Sequence, residues 1–256
     1  MGVVETTRRS PAASAALLLL LSLATSSPRA ARGDAASLAW GACAGGGGVS
    51  NQTFACDTNI GDHVIIGSFV LGESLPFTAD WGVEARLTAG QPGTASTVPE
   101  WWRLEPGGCR AGVLSTSFDF TSNPYVPCAD PYFGQALAAP PQITLITTPD
   151  LPPHGSSTFE RIQLGAYVPL PVTLAAGTEY DAFRIRITNA GTRGSTACAG
   201  CCQEMAIVLD DLVISGGTTV VHFVNQPVVS WQSFGSPCQA TPERAASWGR
   251  VRSLYR

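Results

Sequence analysis

The chain contains no lysine; all 15 of its basic residues are arginine. The absence goes with a surplus of Ala, Gly, Pro and Arg, the mark of a GC-rich genome, and carries no functional weight. Only 3 histidines are present. His63, His154 and His222 stand far apart in unlike settings, and no serine sits in a nucleophile-elbow context. The sequence therefore shows no catalytic signature. Charge is scarce too: 13% of residues are charged and the formal net charge is −4. Weak net acidity argues against a nucleic-acid partner. Long apolar runs are missing as well. The densest, Ala15 to Ala24, covers ten residues, too few to span a bilayer. No stretch before the C-terminal end repeats at the helical period, and no internal repeat is visible.

What the N-terminus does carry is a targeting segment. Arg8 and Arg9 precede the apolar run, and small residues follow it, which places cleavage after Ala24 or Ser26. Ser-Pro-Ala after the arginine pair lacks the apolar residues of a twin-arginine signal. Residues 1–26 are read as a signal peptide, 27–37 as a flexible leader, 38–242 as one domain and 243–256 as a basic-aromatic tail. Cleavage leaves about 230 residues, ample for one core that buries roughly 70% of the unfolded surface. The mature protein is expected to be exported, in the periplasm, on the cell surface or outside the cell, with no membrane span.

All 8 cysteines lie in that mature part: Cys43, Cys56, Cys109, Cys128, Cys198, Cys201, Cys202 and Cys238. An even count in an exported chain implies disulfides, with 105 conceivable pairings. Sequence-local pairs, Cys43–Cys56 and Cys109–Cys128, would close loops of about 14 to 20 residues, each worth roughly 3 kcal/mol. Cys238 would then take one of the three clustered cysteines, and the other two would pair. A vicinal Cys201–Cys202 bond is strained, which puts Cys198 in the cluster-internal pair.

The stretch from Glu179 to Ser215 organises the fold. Phe183, Ile185 and Ile187 alternate with Arg184, Arg186 and Thr188, the pattern of a half-buried strand. Ala206–Leu209 and Leu212–Ile214 form a denser apolar run, suited to a central strand buried on both faces. The two strands and the cystine-rich loop between them read as the nucleus of a sheet. Further strands are expected at Val64–Leu71, Gly82–Ala89, Leu114–Phe120, Ile143–Ile146, Phe159–Val168, Thr219–Val224 and Val228–Trp231. Part of Phe159–Val168 reads as an edge, because Pro169 and Pro171 follow it. Nine or ten strands between Pro/Gly-rich turns predict an all-β, antiparallel β-sandwich, jelly-roll-like and disulfide-stapled. A short C-terminal helix over Pro242–Tyr255 is expected beside it.

The strings WGAC, CDTN, IIGSFVL, WWRL with GGCR, SFDF, CAGC and WGRVRSLYR together resemble a family of uncharacterised secreted bacterial proteins. The resemblance covers nearly the whole mature chain and implies a shared layout, with no activity attached. A fold-level likeness to jelly-roll carbohydrate-binding modules rests on Val208-Leu209-Asp210-Asp211-Leu212-Val213. In such modules a strand of this kind can place an Asp on a structural calcium. Function does not follow from fold.

Candidate sites are few. Asp210 and Asp211 are hard oxygen donors suited to calcium; in a regular strand they would point to opposite faces, and the plainer reading is one solvated Asp and one that caps a bulge or pairs with an arginine. Asp57-Thr58-Asn59-Ile60-Gly61-Asp62 has the look of a calcium loop but departs from the EF-hand spacing, and a polar turn before a strand explains it. Cys198-x-x-Cys201 matches a redox spacing without its βαβ context, and four cysteines including Cys238 could hold zinc; disulfides outweigh both. Glu179 and Asp181 could be drawn as a glycosidase-type acid pair but fit solvent exposure equally well. Trp81, Trp101, Trp102 and Tyr125 could form an aromatic platform for a sugar ring, against the plainer reading that large aromatics fill the core. The tail holds Trp248, Val251, Leu254 and Tyr255 among three arginines, and is expected to dock on the domain. Taken together, the sequence predicts a non-catalytic extracellular or surface protein, structural or adhesive. The alternative is a glycan-binding module with a structural calcium and a glycan or cell-envelope partner; a secreted hydrolase stands third. No other cofactor is implied.

Overall fold

In the computed structural model, the described residues are 33–91, 97–121, 128–148 and 157–232. They form fourteen strands: β1 (Ala35–Trp40), β2 (Asn51–Gln52), β3 (Asp62–Val70), β4 (Leu75–Phe77), β5 (Trp81–Gly90), β6 (Leu114–Ser117), β7 (Leu137–Ala138), β8 (Gln142–Thr148), β9 (Ser157–Val168), β10 (Val172–Leu174), β11 (Glu179–Thr188), β12 (Met205–Gly216), β13 (Thr219–Phe223) and β14 (Val228–Trp231). The only helical turns among these residues are of the 3-10 type, Ala44–Gly46 and Glu100–Trp102. The first strand begins at Ala35, inside the segment read as a flexible leader. The predicted C-terminal helix and tail, Tyr125, His154 and Cys238 lie outside the described residues.

The strands build two large sheets. One runs β1-β3-β11-β6; the other runs β2-β14-β12-β5-β9-β7, with β13 on β12 and β8 on β9. All pairings are antiparallel except β14 with β2. β7 and β8 join β9 in the eight-stranded sheet, and β4 and β10 pair with each other apart from both large sheets. Taken in chain order, β3, β5, β6, β9, β11 and β12 fall alternately in the four-stranded and the eight-stranded sheet. That is the double-sheet winding of a jelly-roll-like sandwich. Their inner faces meet in one apolar core. Trp40 of β1 lies 5.9 Å from Trp231 of β14, and Phe69 of β3 lies 5.5 Å from Phe223 of β13. At Gly67 a Cβ would stand 2.3 Å from the Phe183 ring, so only glycine lets that ring lie flat on β3.

Three expectations are corrected here. β11 and β12 are not neighbours; each is an interior strand of a different sheet, and the cystine-rich loop crosses between the layers. β12 is not buried on both faces. Met205, Ile207, Leu209, Leu212 and Ile214 face inward, while Val208 and Val213 are half-exposed. β9 is no edge: β5 pairs along one side of it, and β7 and β8 along the other.

The disulfides also differ. The bonds are Cys43–Cys128, Cys56–Cys201 and Cys109–Cys198, with sequence separations of 85, 145 and 89. Neither sequence-local pair forms, and Cys198 and Cys201 go to different partners. Cys202 is disulfide-bonded as well. A disulfide needs its Cα atoms within about 7 Å, and folding brings these distant pairs to between 5.9 and 6.5 Å. Local loop length therefore did not choose the partners.

One end of the sandwich is an aromatic cluster held by those bonds. Trp231 stacks on Trp101 at 4.7 Å and on Phe54 at 4.3 Å. Its indole N–H donates to the Cys201 carbonyl at 2.7 Å. Beside it, the fully buried Arg110 spreads its guanidinium 3.5 Å from the Trp101 ring centre. It donates to the carbonyls of Ala190, Trp101 and Thr188. Burial pulls its pKa down to about 9.

Candidate functional site: a polar groove on the eight-stranded sheet

The outer face of the eight-stranded sheet carries what the core does not take. In β5, Val83, Ala85 and Leu87 point inward, so Glu84 and Arg86 point out and are exposed. In β9 the same alternation exposes Gln163 and Tyr167. In β12, a bulge between Leu209 and Asp211 inserts Asp210 and shifts the phase. Leu209 and Leu212 both remain inside, and both aspartates lie half-exposed. The expectation that the pair would point to opposite faces assumed an unbroken strand.

Register then sets these side chains in rows. Asp211 pairs with Arg86, Arg86 with Gln163, and Gln163 with Gln142. This polar row crosses four strands, a width of about 14 Å at the usual spacing. Beside it, His222 pairs with Val213, Val213 with Glu84, and Glu84 with Gly165. A third row joins Ser215, Gly82, Tyr167 and Leu137. Ala139, whose N–H donates to the Gly165 carbonyl of β9, and Pro140 border the rows, and together they line an open groove of about 280 Å³. It adjoins a second hollow of about 520 Å³ bordered by Asp80, Leu137, Tyr167 and Ser215. Glu84, Ala139 and Gly165 line both. A Cβ at Gly165 would lie 3.2 Å from the Val83 carbonyl oxygen and 3.5 Å from Glu84 Cγ, so glycine keeps the floor open between the two.

Within the groove, Asp211 lies 3.6 Å from the Arg86 guanidinium and 3.6 Å from His222 Nδ1. Asp210 accepts a hydrogen bond from the Thr88 hydroxyl. The two carboxylates thus face different partners, and Asp211 faces a cation already. Tyr167, 45% exposed, stands at the far end. Hydrogen bonding to Asp80 adds to the desolvation that raises its pKa.

The other sequence candidates fall elsewhere. Trp81, Trp101 and Trp102 are 2%, 0% and 0% exposed and cannot present a platform; Trp81 lies between Phe77 and Tyr132 in a stack, and Trp101 and Trp102 pack on Trp231. Glu179 and Asp181 form no solvent-exposed acid pair. Glu179 accepts from the Ser68 hydroxyl and from the Gly45 N–H, and Asp181 is 1% exposed. Cys43, Cys128 and Asp181 bring ligand atoms within 4.8 Å of one another, but the two sulfurs are joined to each other. In the 57–62 loop, the Thr58 hydroxyl caps Ile60 N–H, and Asn59 Oδ1 accepts from Thr192 and Arg193 N–H. Those bonds tie the loop to the crossover between the layers. His63 is wedged against Phe54 and Trp231 and bonded to Asn189; burial lowers its pKa.

A buried acid pair escaped the sequence reading. Glu160, inside β9, is fully buried, and Glu105 is nearly so. Burial, then the hydrogen bond and charge of Glu105, raise Glu160 to about 8. Burial would raise Glu105 too, but hydrogen bonds with Glu160 and Arg103 outweigh it and hold it low. Neither carboxyl lines the groove. No family model matches the chain, and no curated protein is found similar to it.

Proposed function

We propose that this is an exported, non-catalytic binding protein, adhesive in role, whose groove on the eight-stranded sheet takes a polyhydroxylated ligand, a glycan of the cell envelope or its surroundings. The observation that carries the reading is the Asp211–Arg86–Gln163–Gln142 row. Acceptors, a forked donor and two amides alternate there along a line of about 14 Å. Sugar hydroxyls both donate and accept, so such a row can satisfy several at once. Tyr167 offers a ring face at the groove's end. Three disulfides support export, since such bonds persist in oxidising compartments, and the resemblance to secreted bacterial proteins points the same way. Among the described residues, no helix is long and apolar enough to cross a membrane.

The same groove bears on the hydrolase alternative. Glu84 and Asp211 stand diagonally across β5 and β12, with Arg86 paired to Asp211. A single assay separates the readings. The mature chain is screened on a glycan array, and each ligand found is incubated with the protein while reducing ends are counted. Binding without release of reducing ends is expected. Arg86→Ala and Gln163→Ala should each weaken binding by about fivefold or more, the worth of one hydrogen bond of about 1 kcal/mol. Binding untouched by both variants removes the groove from the reading, and steady release of reducing ends makes the protein an enzyme.

A further inference from the structure

A second hollow lies on the opposite layer, and its chemistry differs. On the outer face of the four-stranded sheet, Arg184 and Arg186 sit two residues apart on β11, about 7 Å along the strand. Across from them on β6 stand Ser117 and Ser115, in direct register. With Asp62, Val64 and Thr116 they line a hollow of about 390 Å³.

The two arginines are held differently. Arg184 donates to the Ser117 hydroxyl at 3.3 Å and to the Asp119 main-chain carbonyl at 3.1 Å, and its guanidinium lies 5.7 Å from the Phe120 ring centre. Among the described residues no carboxylate lies within ion-pair distance of it. The Asp119 carboxylate is turned into its own loop, accepting from the N–H and hydroxyl of Thr121. Arg186, by contrast, is bonded through Nε to Asp62, which leaves its two terminal nitrogens for other acceptors. Thus one guanidinium is hydrogen-bonded by neutral groups, and the other is partly balanced by a carboxylate at the hollow's wall. The Asp119 carboxylate is still near enough to feel Arg184: its pKa is lowered first by the Thr121 hydrogen bonds and then by the Arg184 charge. Serine hydroxyls line the space between.

From this geometry we infer that the hollow is an oxyanion site for a carboxylate or sulfate group; that the group is carried on a saccharide rests on the glycan reading proposed above. Guanidinium forks match the paired oxygens of both groups, and Ser115 and Ser117 supply hydroxyl donors. Asp62 acts as an internal competitor: it occupies one edge of Arg186 until a ligand oxyanion shares that cation. The net-acidic chain repels anions at long range, so the site selects an anion by contact and works best at moderate ionic strength.

The test is a titration of the isotope-labelled mature chain, followed by amide and arginine side-chain NMR shifts at constant ionic strength. The probes are inorganic sulfate and glucuronate, with chloride as the control. Saturable shifts are expected at Ser115–Ser117 and Arg184–Arg186. Arg184→Gln should weaken binding about tenfold, and Asp62→Asn should tighten it severalfold. Stronger binding of glucuronate assigns a carboxylate ligand; stronger binding of sulfate assigns a sulfate ester. A response no greater than chloride's overturns the inference, as does unchanged affinity in Arg184→Gln or no tightening in Asp62→Asn. The tightening arm is informative even if an arginine variant folds poorly, because Asp62 is partly exposed at the rim.

Discussion

Arg110 shows how one residue can hold a loop without an acid partner. Its three bonds go to main-chain carbonyls, and its face packs on Trp101. A lysine has neither the planar fork nor the stacking surface. Arg110→Lys should leave at least one buried carbonyl unsatisfied, at about 1 to 3 kcal/mol each. A fall in denaturation midpoint of that order is expected, and an unchanged midpoint would contradict the assignment. Glu160 makes a second prediction at this scale. Its folded pKa lies near 8, above the ordinary carboxyl value of about 4.3. Below that ordinary value it is protonated folded or unfolded. As pH rises toward 8, the unfolded chain releases the proton and the folded chain keeps it, so stability falls. Glu105, held low, titrates beneath that window. Glu160→Gln removes the effect. The variant's melting temperature, relative to that of the wild type, should climb from pH 5 to about pH 8 and level off above it; parallel curves would refute the buried neutral acid.

Among the elements, β12 carries the most consequence. Its bulge at Asp210 lets Leu209 and Leu212 both face the core. Deleting Asp210 would remove the inserted residue, so that Leu209, Asp211 and Leu212 alternate in, out, in, with the register against β5 unchanged. A thermal melt lowered by little more than the lost Thr88 hydrogen bond, about 1 kcal/mol, is expected; loss of several kcal/mol, or failure to fold, would show that the bulge itself is needed. This element also shows what a sequence reveals. The strand was legible from Ile207, Leu209, Leu212 and Ile214, and a bulge at the double aspartate was open to the sequence because the step from Leu209 to Leu212 breaks the period of two; which residue is inserted follows only from the pairing with β5. Likewise β5 and β9 announced their periods, so Glu84, Arg86, Gln163 and Tyr167 could have been named as outward-facing. That they share one groove depends on register across β12, β5, β9 and β8, and no local pattern encodes it. The aromatic candidates misled for a related reason. A tryptophan in a loop reads alike whether the loop is exposed or folded over the core, as the turn at Glu100–Trp102 is.

For the whole molecule, three long-range disulfides tie loop to loop, since none of their six cysteines lies in a strand. On the chain-entropy account, closures of 85 to 145 residues are worth about 4 to 5 kcal/mol each. Their sum exceeds the usual net stability of a domain, about 5 to 15 kcal/mol, at its lower end. Reduction should therefore lower the melting point by tens of degrees or unfold the chain. Thiol counting on the unreduced, denatured protein should give nearly none, and four or more free thiols would contradict the bonded framework. The cysteines were legible as a disulfide set but not as pairs, because partner choice follows from which loops the sandwich brings together.

The two outer faces divide the work in this account: the eight-stranded sheet offers neutral and charged hydrogen-bonding groups in rows, and the four-stranded sheet offers a pair of guanidiniums. The central claim concerns the first. Its most direct test is to titrate the isotope-labelled mature chain with the best glycan from the array screen and map the amide and side-chain shifts. The account requires the largest changes at Glu84, Arg86, Gln142, Gln163, Tyr167 and Asp211, fading toward the core. Shifts confined to the loops at the aromatic end, or spread along the four-stranded sheet while these six stay still, would contradict it.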